Sequence, residues 1–82
     1  MRYNIEGVCK IFHVEEGWGW ISIEGEEDAW VHFSNIQMDG FKQLTAGETV
    51  LFNLEENPNL KEQSRRAVNV KKIKNKFNKN KR

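Results

Sequence analysis

Three tryptophans, Trp18, Trp20 and Trp30, fall within a thirteen-residue stretch and alternate with small or aliphatic residues. In an extended chain, side chains point to opposite faces with a period of two. Trp18-Gly19-Trp20-Ile21-Ser22-Ile23 then carries Trp18, Trp20 and Ser22 on one face, with Gly19, Ile21 and Ile23 on the other. In Ala29-Trp30-Val31-His32-Phe33, Trp30 and His32 share a face opposite Ala29 and Val31. The chemistry available to such a face is stacking. Planar heterocycles lie on indole and imidazole rings, and each nucleic-acid base stacked this way is worth about 1–3 kcal/mol. His32 adds a hydrogen-bonding ring nitrogen to the same face, and no paired acid–base or nucleophile constellation accompanies it. With one cysteine, Cys9, and two histidines there is no clustered ligand set for zinc. Neither catalysis nor a metal or cofactor is expected.

The elements that must position these rings are short strands. Strand patterns recur at 5–12, 18–23, 29–33, 49–54 and 66–70, and no helix-period segment of convincing length interrupts them. Glu15-Glu16-Gly17 and Gly25-Glu26-Glu27-Asp28 suit hairpin connections. Ser34 can cap a brief helical turn through Ile36, a longer loop follows, and Asn57-Pro58-Asn59 breaks the chain before the last strand. Five short strands with one long loop after the third fit an all-β, antiparallel Greek-key barrel of the oligonucleotide-binding type. Gly17 and Gly19 lie inside a strand pattern with no helix after them. Close backbone packing or a bulge is expected there rather than a phosphate-cradling loop.

Two assignments of the tryptophans compete. Large aromatics often fill a β-protein core, but a closed barrel has one inside, and both faces of the second and third strands are apolar. The aliphatics opposite the tryptophans, together with Val50, Phe52 and Leu54 on the fourth strand, suffice for a small interior. The tryptophans are therefore expected outside, as the kind of exposed patch that marks a binding surface. Cys9 is expected inward, as a small core residue.

Eighty-two residues support one small domain. The formal net charge of +1 conceals a division. Residues 1–57 hold three Lys/Arg against eleven acidic residues, and residues 58–82 hold ten against Glu62 alone. Such asymmetry points to a polyanion-binding tail. From Lys71 onward the chain reads KKIKNKFNKNKR, with only Ile73 and Phe77 to bury, and is expected to be a disordered basic tail over 71–82 following a domain at 1–70. A lone cysteine, the lack of a charged-then-apolar leader and the lack of a long apolar run suggest a cytoplasmic chain with no membrane partner.

These residues carry a resemblance. Lys10-Ile11-Phe12, then Glu16-Gly17-Trp18-Gly19-Trp20-Ile21, then Ala29-Trp30-Val31-His32-Phe33-Ser34 closely resemble the bacterial cold-shock protein family, whose two RNA-binding motifs usually read K-G-F-G-F-I and V-F-V-H-F. The similarity continues through Asn35-Ile36-Gln37, Gly40-Phe41-Lys42 and Gly47-Glu48 and covers roughly residues 5–70. It implies a five-stranded barrel, the OB-fold, that binds single-stranded RNA or DNA with little sequence preference, can melt weak RNA structure, and is most often monomeric. It places Phe12, Trp18, Trp20, Trp30, His32, Phe33 and Phe41 on the binding surface, and Lys10 and Lys42 are expected to join them at the nucleic-acid site.

The chain departs from the family pattern in several places. Three family phenylalanines are Trp18, Trp20 and Trp30, which enlarges the stacking area. A stacking tryptophan is replaced by Ile11, an asparagine by His13, and a lysine by Glu16, which turns an expected phosphate contact into a repulsion. Strict alternation would turn Ile11 inward, opposite Lys10 and Phe12, so the register of the first strand is open. Phosphate neutralisation supplies much of non-specific affinity. With an acid at position 16, that role is expected to pass to Lys71, Lys72, Lys74 and Lys76, which would hold the nucleic-acid backbone. The alternative is a protein-interaction domain on the same scaffold, using the acidic body and the tryptophan patch.

Overall fold

The computed structural model describes residues 1–38, 42–57, 59–60 and 63–73. Strands β1 (Arg2–His13), β2 (Trp18–Ser22) and β3 (Ala29–His32) lead into a single 3-10 turn at Phe33–Asn35, followed by β4 (Thr49–Glu56) and β5 (Arg65–Lys72). They close a barrel in the order β1-β2-β3-β5-β4. Every seam is antiparallel except that between β3 and β5, where Trp30 stands opposite Arg66 in parallel pairing. The parallel seam is where the Greek-key path returns to close the barrel.

The aliphatic alternation places the interior where it was expected. Ile21, Ala29, Val31, Val50, Phe52 and Leu54 are buried, with Cys9, Ala67 and Val70 beside them. Among the described residues Phe52 is the only aromatic that is fully buried in the core, and no tryptophan belongs to the core. The competing assignment of the indoles to the interior therefore fails.

Strict alternation holds in β2, β3 and β4 but breaks in two other strands. In β1 the pairing with β2 slips between Cys9 and Ile11, so that Cys9 faces Ile21 and Ile11 faces Trp20. A bulge at Lys10 reverses the phase of everything after it. Ile11 consequently turns out to solvent at 45% exposure, and Phe12 falls on the Gly19 side and packs against the core. In β5 the buried positions are Ala67 and Val70, three residues apart, because the ladder with β4 slips opposite Leu51 and Asn53.

Two further differences concern ends. Lys71 and Lys72 pair with Leu51 and Val50, so they are strand residues rather than the start of a tail. The 3-10 turn is capped by the imidazole of His32, which accepts the Ser34 backbone N–H, and not by the Ser34 hydroxyl. The rest of the expected tail, including Lys74 and Lys76, lies outside the described residues, as does Phe41. Among the described residues no helix is long and apolar enough to cross a membrane.

Candidate functional site

The β2–β3 ladder sets Trp18 opposite His32 and Trp20 opposite Trp30. All four side chains leave the same face of the barrel, because Gly19, Ile21, Ala29 and Val31 occupy the buried positions between them. Each ring is half-buried, held along one edge by its neighbours and open on the other.

The rings touch in sequence. Trp18 and Trp20 meet edge to face with centroids 6.5 Å apart. Trp18 and Trp30 lie at 6.5 Å with planes 28° apart, Trp30 and His32 at 5.8 Å and 25°, and His32 and Phe33 at 4.5 Å and 30°. These spacings are those of favourable offset aromatic pairs. The last four rings thus form a nearly continuous π-surface across β2, β3 and the turn after it. Phe33 is its exposed end, at 45%.

Gly17 makes that end possible. It closes the turn after β1 with φ of +84°, and its N–H donates to the His13 carbonyl at 2.7 Å. The Phe33 backbone N–H donates to the Gly17 carbonyl at 2.8 Å, and a Cβ on Gly17 would lie 2.5 Å from Phe33 Cδ2. Phe33 therefore packs directly on a bare backbone. Gly19 serves the other face, where a Cβ would collide with the Ile11 carbonyl and sit 2.7 Å from Phe12 Cα.

Sequence reasoning passed over two contributors. His13 pairs across the ladder with Trp18, and their ring centroids are 4.4 Å apart. The signal was the four-residue turn, which sets position 13 opposite position 18. Glu16, read only as the replacement of a lysine, accepts the Trp18 indole N–H at 2.9 Å and holds that ring in place.

Contacts with Ser34 fix the orientation of the His32 ring. Its Nδ1 accepts the Ser34 N–H at 3.2 Å and lies 2.8 Å from the Ser34 hydroxyl. A backbone N–H can only donate, so neutral His32 carries its proton on Nε2, where it can donate to a ligand acceptor.

The charged residues behave differently from the aromatics. Lys10 is ion-paired with Asp28 at 2.8 Å, Arg66 with Glu55 at 3.0 Å, and Lys72 with Glu48 at 3.2 Å. Arg2 and Arg65 both bind Glu26, at 2.8 and 2.7 Å, and Arg65 also reaches Glu56. The hydrogen bonds from Arg2 and then Arg65 hold the Glu26 carboxyl at about 2, well below its ordinary range. Lys42 and Lys71 are exposed and have no carboxylate partner among the described residues. Of the expected residues, the fold thus gathers Trp18, Trp20, Trp30, His32 and Phe33 into one surface. It packs Phe12 against the core and places Lys71 and Lys72 at the end of β5.

No group of three metal-ligating side chains occurs among the described residues. The arrangement offers stacking surfaces and one directed N–H donor.

Comparison with known proteins agrees with this geometry. The profile of the 'Cold-shock' DNA-binding domain matches residues 5–73. The chain is 41% identical over 68 residues to cold shock protein CspA of Staphylococcus haemolyticus, covering 83% of this chain and 97% of that one. It is equally similar to its namesake in Staphylococcus aureus, at 41% over 68 residues with the same coverage. It is 48% identical over 52 residues to the major cold shock protein CspA of Bacillus cereus, covering 63% of this chain and 78% of that one.

Proposed function

The chain belongs to the cold-shock domain family of non-enzymatic nucleic-acid-binding proteins, and on that premise we propose that it binds single-stranded RNA or DNA by stacking bases along Trp20, Trp18, Trp30, His32 and Phe33. The observation that carries this reading is the aromatic surface on a barrel whose core is complete without it. Burying such rings inside would have served stability, whereas outside they serve a planar ligand.

Stacking tolerates any base, since every base has a π-face. The donor at His32 Nε2 orients a base edge without demanding one sequence. Capture of unpaired segments shifts an RNA folding equilibrium toward open forms with no chemistry, which is the action of an RNA chaperone. Backbone phosphates fall to Lys42 and Lys71, the lysines left without acids in the described body, and to Lys74 and Lys76 beyond it. The working form in this reading is a monomer in the cytoplasm, where a lone thiol such as Cys9 stays reduced.

The pairing of Lys10 with Asp28 favours the alternative of a protein-interaction domain, because it removes a cation from the site. Tryptophan fluorescence titrated with a short oligopyrimidine at low salt separates the two. Base stacking quenches Trp18, Trp20 and Trp30 strongly. An unchanged spectrum would refute nucleic-acid binding by this surface.

A further inference from the structure

A second recess lies away from the aromatic rings. It is an open groove of about 270 Å³ between β1, β4, β5 and the segment after the 3-10 turn, lined by Asn4, Gln37, Asn53, Asn69 and Lys71 together with the apolar Leu51 and Phe52. Its polar lining is carboxamide and ammonium, with no carboxylate, in a body where residues 1–57 carry eleven acids against three bases.

The backbone is specialised at the same place. Among the described residues, two that are not glycine adopt left-handed backbone: Asn4 at φ 58° and Asn69 at φ 53°. Both line this groove. Each sits at a ladder slip, one in β1 between Arg2 and Ile5, the other in β5 opposite Leu51 and Asn53. Two bulges on the two neighbours of β4 therefore converge on one stretch of it. Bulges re-aim side chains, and asparagine is the non-glycine residue that takes left-handed backbone most readily, so both bulges present a carboxamide at the groove.

Hydrogen bonding engages the carboxamide oxygens of Asn53 and Asn69 and leaves their NH2 groups unengaged. The Asn4 backbone N–H donates to Asn53 Oδ1 at 3.1 Å, which settles the orientation of that amide and turns its Nδ2 protons elsewhere. Gln37 Nε2 donates to Asn69 Oδ1 at 3.1 Å, leaving the Asn69 Nδ2 protons as well. Lys71 adds an ammonium with no carboxylate partner among the described residues. Two amide donors and a cation suit a compact anion with several acceptor oxygens.

We propose that this groove is a phosphate-binding subsite, occupied by a phosphate of a nucleic-acid strand or of a free nucleotide. The choice of polymer rests on the proposed function, while the affinity for phosphate does not. Asn69 stands three residues beyond Arg66, the cross-strand partner of Trp30, and so about 10 Å further along β5. Gln37 follows Phe33 by four residues. A strand leaving the Phe33 end of the stacking surface would run toward it.

The test follows the side-chain amide resonances of Asn53 and Asn69 in the isotope-labelled full chain at low salt. Inorganic phosphate, uridine monophosphate and a nine-residue oligothymidylate are titrated in turn, with tryptophan fluorescence read on the same samples. Saturable shifts are expected. Shifts with the oligonucleotide alone assign the groove to the polymer backbone, and shifts with the small anions as well assign it to free phosphate groups too. Lys71→Gln, at an exposed strand position, should weaken oligonucleotide binding while leaving the quench at saturation intact. Its plot of log affinity against log salt should be shallower by about 0.7, one phosphate's share on a single strand. The proposal is overturned if no probe moves those amides, or if Lys71→Gln titrates like the parent chain. Loss of quenching with groove shifts retained would instead overturn the stacking function and leave the phosphate subsite standing.

Discussion

The carboxylate of Glu16 accepts the indole N–H of Trp18 at 2.9 Å. The acid that replaces a family lysine thus holds the ring through which the stacking surface passes, since Trp18 touches Trp20, Trp30 and His13. Glu16 is exposed, so its negative charge also faces any phosphate that approaches Trp18. In the proposed function the same group both supports the ring and repels the ligand, and substitution can separate the two.

Glu16→Gln keeps an acceptor for the indole and removes the charge, so binding to oligopyrimidine should tighten by about two- to fivefold at low salt. Glu16→Lys gives up the acceptor and adds a phosphate contact, which should steepen the salt dependence by about 0.7 in log–log slope. Fluorescence titrations at several salt concentrations read both effects. If both variants bind no better than the parent chain, Glu16 does not oppose the ligand.

Trp18→Ala removes the ring at the junction of the surface. Affinity should fall by about 1–3 kcal/mol for each base no longer stacked, roughly 5- to 150-fold. The unfolding midpoint should change little by comparison, because Trp18 is not a core residue. A variant that binds normally would move the site off this face.

Gly17→Ala places a Cβ at φ +84°, 2.5 Å from Phe33 Cδ2. The left-handed backbone alone costs about 1–2 kcal/mol for an L-residue with a side chain, and Phe33 must also shift off the surface. Urea unfolding should show the destabilisation, with a weaker oligonucleotide affinity alongside it. An unchanged midpoint would mean that the turn has another low-energy form.

Acid stability should depend on Glu26. Its folded-state value of about 2 lies below the ordinary 4.5, lowered first by the hydrogen bond from Arg2 and then by that from Arg65. A depressed carboxylate stabilises the fold above its unfolded value, and that contribution drains away as pH falls from about 4.5 toward about 2. Thermal melts across this window should fall less steeply for Glu26→Gln than for the parent chain. Identical slopes would show that the Arg2–Glu26–Arg65 cluster contributes nothing to acid stability.

Much of this molecule could be read along the chain. In β2, β3 and β4 the alternation of aliphatic with aromatic or polar residues assigns Ile21, Val31 and Phe52 to the interior and the three tryptophans to the exterior, because a strand without bulges has no other way to divide its side chains. The same periodicity leaves the register of β1 open, and by itself it would turn Ile11 inward and Phe12 outward, the reverse of what is found. Their faces depend on the bulge at Lys10, which arises from bending a long strand around a closed barrel and leaves no mark in the spacing of residue types. Nor could the chain show that Lys10 is tied to Asp28, that Glu16 holds Trp18, or that Asn4, Asn53 and Asn69 meet in one groove. Those partners are set by which strands become neighbours and in what register. The tryptophan surface was therefore local in origin, whereas the charges that remain to assist it, and the site where we place a phosphate, are products of barrel closure.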